Sequence, residues 1–255
     1  MELLKLIILF TGPLMAGLLA FRLKDIPKQY IDVTLTFSGS YLLGITAIEL
    51  IPSLFSHLDQ DQYISIGVFL LAGFFIQIIL DLFSKGIEHG HMHLHGEPGK
   101  FFFLSITIGL CLHAFLEGIP LADGHGHHHH HHGHDHGHGS ESLLFAIVLH
   151  KLPAAFAYVT ILNFGNLSRK QIIGLLLLFV SMSPLSLLLV ESAQFMDLLS
   201  SIDPHAIDYL IALVVGSFLH ISTTILFESS TKMHSFSKIK ILGIGLGVLV
   251  AYLTV

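Results

Sequence analysis

Apolar stretches of close to twenty residues recur along this chain with almost no charge inside them: Leu3 to Phe21, Val33 to Phe55, Ile64 to Leu82, Phe101 to Leu121, Leu143 to Phe164, Ile172 to Val190, Ile207 to Phe227 and Ile239 to Leu253. A helix rising about 1.5 Å per residue needs about twenty residues to cross roughly 30 Å of hydrocarbon. The pattern predicts an all-α, polytopic membrane protein with eight transmembrane helices. The last stretch is short and glycine-rich (Gly243, Gly245, Gly247), as in a tilted or closely packed helix.

Composition sharpens this reading. Hydrophobic residues make up 53% of the 255 positions and charged residues only 12%, with a mean hydropathy of +0.75. A soluble domain carries about a quarter charged residues, and helices lacking polar faces cannot share one aqueous core. The first stretch lacks a small-residue cleavage site, and its basic neighbours Arg22, Lys24 and Lys28 follow it, Lys5 alone lying within it; it reads as a retained helix instead of a leader. With short loops, residues 1–255 form a single transmembrane domain. The one cysteine, Cys111, excludes an intramolecular disulfide and reads as a small core residue.

Basic residues sort by loop. Arg22, Lys24 and Lys28, then Lys85 and Lys100, then Arg169 and Lys170, then Lys232, Lys238 and Lys240 follow the odd-numbered spans, and the loops after spans two, four and six carry none. The positive-inside rule then puts both termini outside. The outer loops hold Asp59, Asp61, Asp123, Asp135, Glu141, Glu191, Asp197 and Asp203, an acidic surface that attracts cations and argues against a nucleic-acid partner. The expected location is a cell membrane, of the bacterial inner or plasma-membrane kind. The partners are the lipid bilayer and divalent metal ions, and a homodimer stays open.

Two loops break the apolar pattern. The cytoplasmic loop 85–100 contains E-H-G-H-M-H-L-H-G-E from Glu88 to Glu97, and the external loop 123–141 packs ten histidines into the fourteen residues from His125 to His138. Glycine-spaced imidazoles gather around a metal at little steric cost. A purification tag would sit at a terminus, whereas the run from His127 to His132 lies inside a loop among further Gly-His pairs.

Ionisable side chains within spans are costly and mark function. Span four carries His113 and Glu117, one turn apart on one face; span five carries His150 and Lys151, then Pro153, which deprives the Leu149 carbonyl of its helical donor. An imidazole and a carboxylate so spaced form half of a tetrahedral zinc site. A buried hydrogen-bonded pair, or residues facing a water pocket, is the competing structural account. His220 and Glu228 read as a satisfied polar pair or interface, Asp81 as the cytoplasmic end of span three, and His57, His205 and His234 as loop residues. Ser40 and Gly44, four apart, read as a helix-packing face.

These residues resemble the ZIP family of divalent-metal transporters. Its fourth helix carries H-(N/S)-x-x-(D/E)-G and its fifth H-(E/K)-x-x, similar to His113-Ala114-Phe115-Leu116-Glu117-Gly118 and His150-Lys151-Leu152-Pro153. Gly44 to Pro52 resembles its G-x-x-x-x-H-L-L-P with Glu49 in the histidine's place, Gly216 to His220 its G-x-F-L-Y, and Ser183-Pro184-Leu185 its T-P-L. The resemblance implies eight helices, alternating access and transport of a divalent transition metal, expected to be zinc taken up into the cytoplasm as a substrate rather than held as a cofactor. It implies a metal site of His113, Glu117 and His150, with Glu49 and Lys151 as auxiliary residues. Ala114 stands for an amide or hydroxyl ligand of the family, Lys151 for a carboxylate of its two-metal members, and Ala154 and Ala155 for histidine and glutamate. These departures point to one metal with a fourth ligand from water, a backbone carbonyl or another helix.

Two other functions compete. An intramembrane metal-dependent enzyme would use similar ligands, but H-E-x-x-H is missing and the order here is H-x-x-x-E; a non-transporting metal sensor would bind without flux. The expectation is that the protein is not an enzyme. No G-x-x-x-x-G-K-S/T loop is present, which excludes ATP as a direct energy source through that motif.

Overall fold

Helices formed by the apolar runs dominate the structure, a computed structural model that describes residues 2–23, 28–56, 58–84, 86, 100–122, 138–228 and 238–255. Glu88 to Glu97, His125 to Gly137, His57 and His234 lie outside the described residues. The elements are α1 (Glu2–Leu19), α2 (Lys28–Ile45), a π turn (Thr46–Leu50), α3 (Ile51–Phe55), α4 (Tyr63–Ser84), α5 (Lys100–Gly118), a 3-10 turn (Ile119–Leu121), α6 (His138–Asn163), α7 (Arg169–Glu191), α8 (Ala193–Ile202), α9 (Ala206–Glu228) and α10 (Lys238–Thr254).

Among the described residues six helical stretches are long and apolar enough to cross a membrane: Tyr30–Phe55, Tyr63–Ser84, Phe101–Leu121, Glu141–Asn163, Arg169–Glu191 and Ala206–Phe227. The first and last expected spans appear as the shorter apolar helices Leu3–Leu19 and Lys240–Thr254. The distribution of side chains is that of a multi-pass membrane protein. Ile64, Val68, Leu71, Phe75, Ile79 and Leu82 form an exposed apolar stripe along α4, while Thr36, Ser40, Gln77, Ser183, Ser186 and Ser217 are buried. Apolar outside and polar inside is the arrangement that lipid selects, because polar groups there find partners only within the protein.

The second span is interrupted. Pro52 has no N–H for the carbonyl four residues before it, and just upstream the Ile51 N–H reaches back five residues to the Thr46 carbonyl, widening the helix into the π turn that carries Glu49. At the start of α7, Ser168 and Gln171 cap one another reciprocally. The ten-residue helix α8 was not foreseen: a search for twenty-residue apolar runs passes over it. It is amphipathic, with Phe195, Met196 and Leu199 packed against the core and Leu198 and Ile202 exposed.

Helices pair as α4 with α9, α2 with α10, α5 with α7 and α1 with α6. Small residues set the closeness. A Cβ on Gly73 or Gly216 would overlap the Leu213 or Leu70 carbonyl, so the α4 and α9 backbones touch. Gly44 faces Ala251 and Ser40 faces Gly247 across α2 and α10, the packing role their spacing suggests.

Candidate metal centre

Four ionisable side chains from the two helices α5 and α6 meet in the interior. His113 and Glu117 lie one turn apart on α5, with His113 Nε2 3.1 Å from Glu117 Oε1. From α6, His150 Nε2 stands 3.9 Å from the same Oε1, and Lys151 Nζ stands 2.9 Å from the other oxygen, Oε2. The imidazoles are edge to face, with ring centroids 5.9 Å apart. One ligand atom each from His113, Glu117 and His150 lies within 4.8 Å of the others, and all three residues are buried.

These distances fit a small cation. Donors at about 2.0 to 2.1 Å from zinc at tetrahedral angles stand roughly 3.3 Å from one another. The His113–Glu117 separation of 3.1 Å is already close to that edge, the 3.9 Å from His150 exceeds it by about half an ångström, and the three donors lie within 4.8 Å of one another, so the imidazoles would draw together around an ion. Two imidazoles and a carboxylate suit zinc and several other first-row divalent metals.

Lys151 is 1% exposed, so it is no snorkelling lysine with its ammonium in water. It donates to Ser183 Oγ on α7, and Ser183 in turn donates to the Ala114 carbonyl. The Phe179 ring lies 5.7 Å from Nζ. This chain of contacts requires α5 and α7 to touch, which they do at Gly118, where a Cβ would overlap Ser186 Oγ and the Ser183 carbonyl.

On the side toward α4, His113 Nδ1 lies 3.2 Å from Gln77 Oε1, which also accepts from Ser217 Oγ of α9 at 2.8 Å. Gln77 was missed by the motif reading. Its signal in the sequence was a lone amide in the middle of an apolar span, as costly in lipid as a charge is conspicuous.

Glu49, the auxiliary residue on the π turn, is half-buried and falls outside the three-ligand group; its Oε2 is buried with no hydrogen-bond partner among the described residues. His220 Nε2 lies 4.0 Å from Asp81 Oδ2 across α4 and α9, a different partner from the Glu228 expected for it. The Glu228 side chain lies outside the described residues. His205 sits in the turn before α9, its Nδ1 3.3 Å from Asp208 Oδ2. Cys111 is a free, half-buried cysteine.

No family model matches the chain. Among curated proteins it is similar to zinc transporter ZIP9-B of Xenopus laevis, 28% identical over 174 residues that are 66% of this chain and 53% of the relative. It is also similar to zinc transporter ZIP9 of Micropogonias undulatus, 27% identical over 211 residues, 76% of this chain and 64% of the relative. The chain thus spans between half and two thirds of these relatives' length. The resemblance to the ZIP family carried by the motifs is thereby shown across most of the chain by direct comparison.

Proposed function

We propose that this relative of ZIP-family zinc transporters carries a divalent transition metal, zinc first among them, across a cell membrane into the cytoplasm. The observation that carries the reading is the buried group of His113, Glu117 and His150, set between helices that face lipid on their outer sides. Ionisable ligands inside an apolar bundle are costly and mark function, and passage of an ion is the use that fits the similarity to zinc transporters.

In this reading the ion takes the Nε2 atoms of both imidazoles and Oε1 of Glu117, and water or a backbone carbonyl completes the shell. Lys151 remains on Oε2, which keeps the carboxylate compensated while the site is empty and repels a second cation, so one ion is carried at a time. Helices α1 and α10 complete eight spans; at about 1.5 Å per residue their 18 and 17 residues reach roughly 25 to 27 Å, short enough to call for slight bilayer thinning. The loop basic residues then orient both termini outward.

Purified protein in liposomes provides the test. Zinc uptake down an imposed gradient is expected from the full chain, and His113→Ala, Glu117→Ala and His150→Ala should each lose most of it while still inserting and folding. Vesicles that move none of zinc, cobalt, cadmium, manganese or ferrous iron would overturn the transport reading, and a ligand variant with full uptake would remove that residue from the site.

A further inference from the structure

We infer that Gln77 is a positioning residue for His113: its amide, held in place by Ser217, fixes the imidazole so that Nε2 faces Glu117 and the metal. The inference rests on the reading of His113 as a metal ligand and adds two residues from helices that contribute no ligand.

Gln77 lies in the middle of α4 and is 0% exposed. An amide there is costly unless its polar atoms are partnered, so its position needs a reason. Its Oε1 meets two donors, Ser217 Oγ at 2.8 Å and His113 Nδ1 at 3.2 Å, which together use both lone pairs of the carbonyl oxygen. A carbonyl oxygen opposite Nδ1 accepts a hydrogen bond only if Nδ1 carries the proton. Nε2, on the opposite edge of the ring and 3.1 Å from Glu117 Oε1, is then the nitrogen whose lone pair can meet a cation. Rotating the amide by half a turn would present N–H groups to Nδ1 and favour the tautomer with its proton on the metal side.

Ser217 Oγ reaches Oε1 in this arrangement, and the helix packing puts it there. Gly73 lies one turn before Gln77, and Gly216 immediately precedes Ser217. At both, the α4 and α9 backbones approach too closely for a Cβ. That contact brings the serine hydroxyl of α9 onto the amide of α4. The same amide bonds a ligand on α5, so α4 and α9 act on the site without lining it.

Zinc uptake by liposomes holding the full chain, measured across metal concentrations, tests the assignment. Outer partners of metal-bound histidines typically contribute about 10- to 100-fold in affinity. Gln77→Leu, of similar size but without an acceptor, should therefore raise the half-saturating zinc concentration by about 10- to 100-fold and reduce maximal flux far less. Gln77→Glu keeps an acceptor opposite Nδ1 and should stay within a few-fold of the unsubstituted protein. Ser217→Ala should shift half-saturation in the same direction as Gln77→Leu by a smaller factor, and it serves in its place if the leucine variant misfolds. Cobalt absorption of the purified proteins, taken as the part lost in His113→Ala, should weaken in parallel. Unchanged half-saturation in Gln77→Leu, or a glutamate variant as impaired as the leucine one, would overturn the role of Gln77. Full uptake in His113→Ala would instead remove the ligand assignment, and this inference with it.

Discussion

Lys151 holds Glu117 by the oxygen that the imidazoles do not face: Nζ is 2.9 Å from Oε2, while His113 and His150 approach Oε1 at 3.1 and 3.9 Å. The two oxygens of one carboxylate thus divide the work, one side balancing charge and the other open to an ion. With Nζ on Oε2, an ion at Oε1 would leave the Lys151–Glu117 pair intact.

Removing the ammonium should expose what it compensates. Lys151→Met leaves a fully buried carboxylate without its counter-charge, and breaking such a pair costs about 3 to 5 kcal/mol. The zinc-free variant in detergent should unfold correspondingly earlier, and Lys151→Met combined with Glu117→Gln should recover most of the loss. Equal stability of Lys151→Met and the unsubstituted protein would show that the pair is not the compensating one.

Reversing the charge should change the stoichiometry. Lys151→Glu adds a carboxylate where the ammonium excluded a second cation, so cadmium-soaked crystals should show two ions bridged by Glu117, against one in the unsubstituted protein. Two well-occupied ions in the unsubstituted protein would defeat the one-metal reading.

Helix contacts should matter in proportion to their closeness. Gly118→Val pushes a side chain into the Ser183 carbonyl and should separate α5 from α7, breaking the Lys151–Ser183–Ala114 chain and abolishing uptake. At Gly67 and Gly174 a Cβ meets nothing within 4 Å, so alanine there should leave uptake and thermal stability near normal. Uptake assays and melting curves on the three variants decide; a functional Gly118→Val would mean that the helices can part without harm.

The external histidine run should gather ions and not conduct them. Deleting Gly126 to Gly137 should lower uptake at scarce metal and leave flux at saturating metal largely intact, because the intramembrane ligands remain. A well-expressed deletion with no flux at saturation would assign the loop to the pathway itself.

Much of this protein was legible along the chain. Long apolar runs determine that helices form and that lipid surrounds them, because a backbone in hydrocarbon must satisfy its own hydrogen bonds. Four-residue spacing alone puts His113 and Glu117 on one face of α5, since that geometry is local. What sequence could not supply was anything set by the meeting of helices distant along the chain. Glu49 shares its span with a proline and matches a family position, yet the fold leaves it outside the three-ligand group. Which carboxylate oxygen Lys151 takes, the bridge through Ser183, and the amide of Gln77 behind His113 depend on how closely α4, α5, α6, α7 and α9 approach. Those approaches are decided by glycines and serines whose small size becomes informative only when the backbone opposite is known.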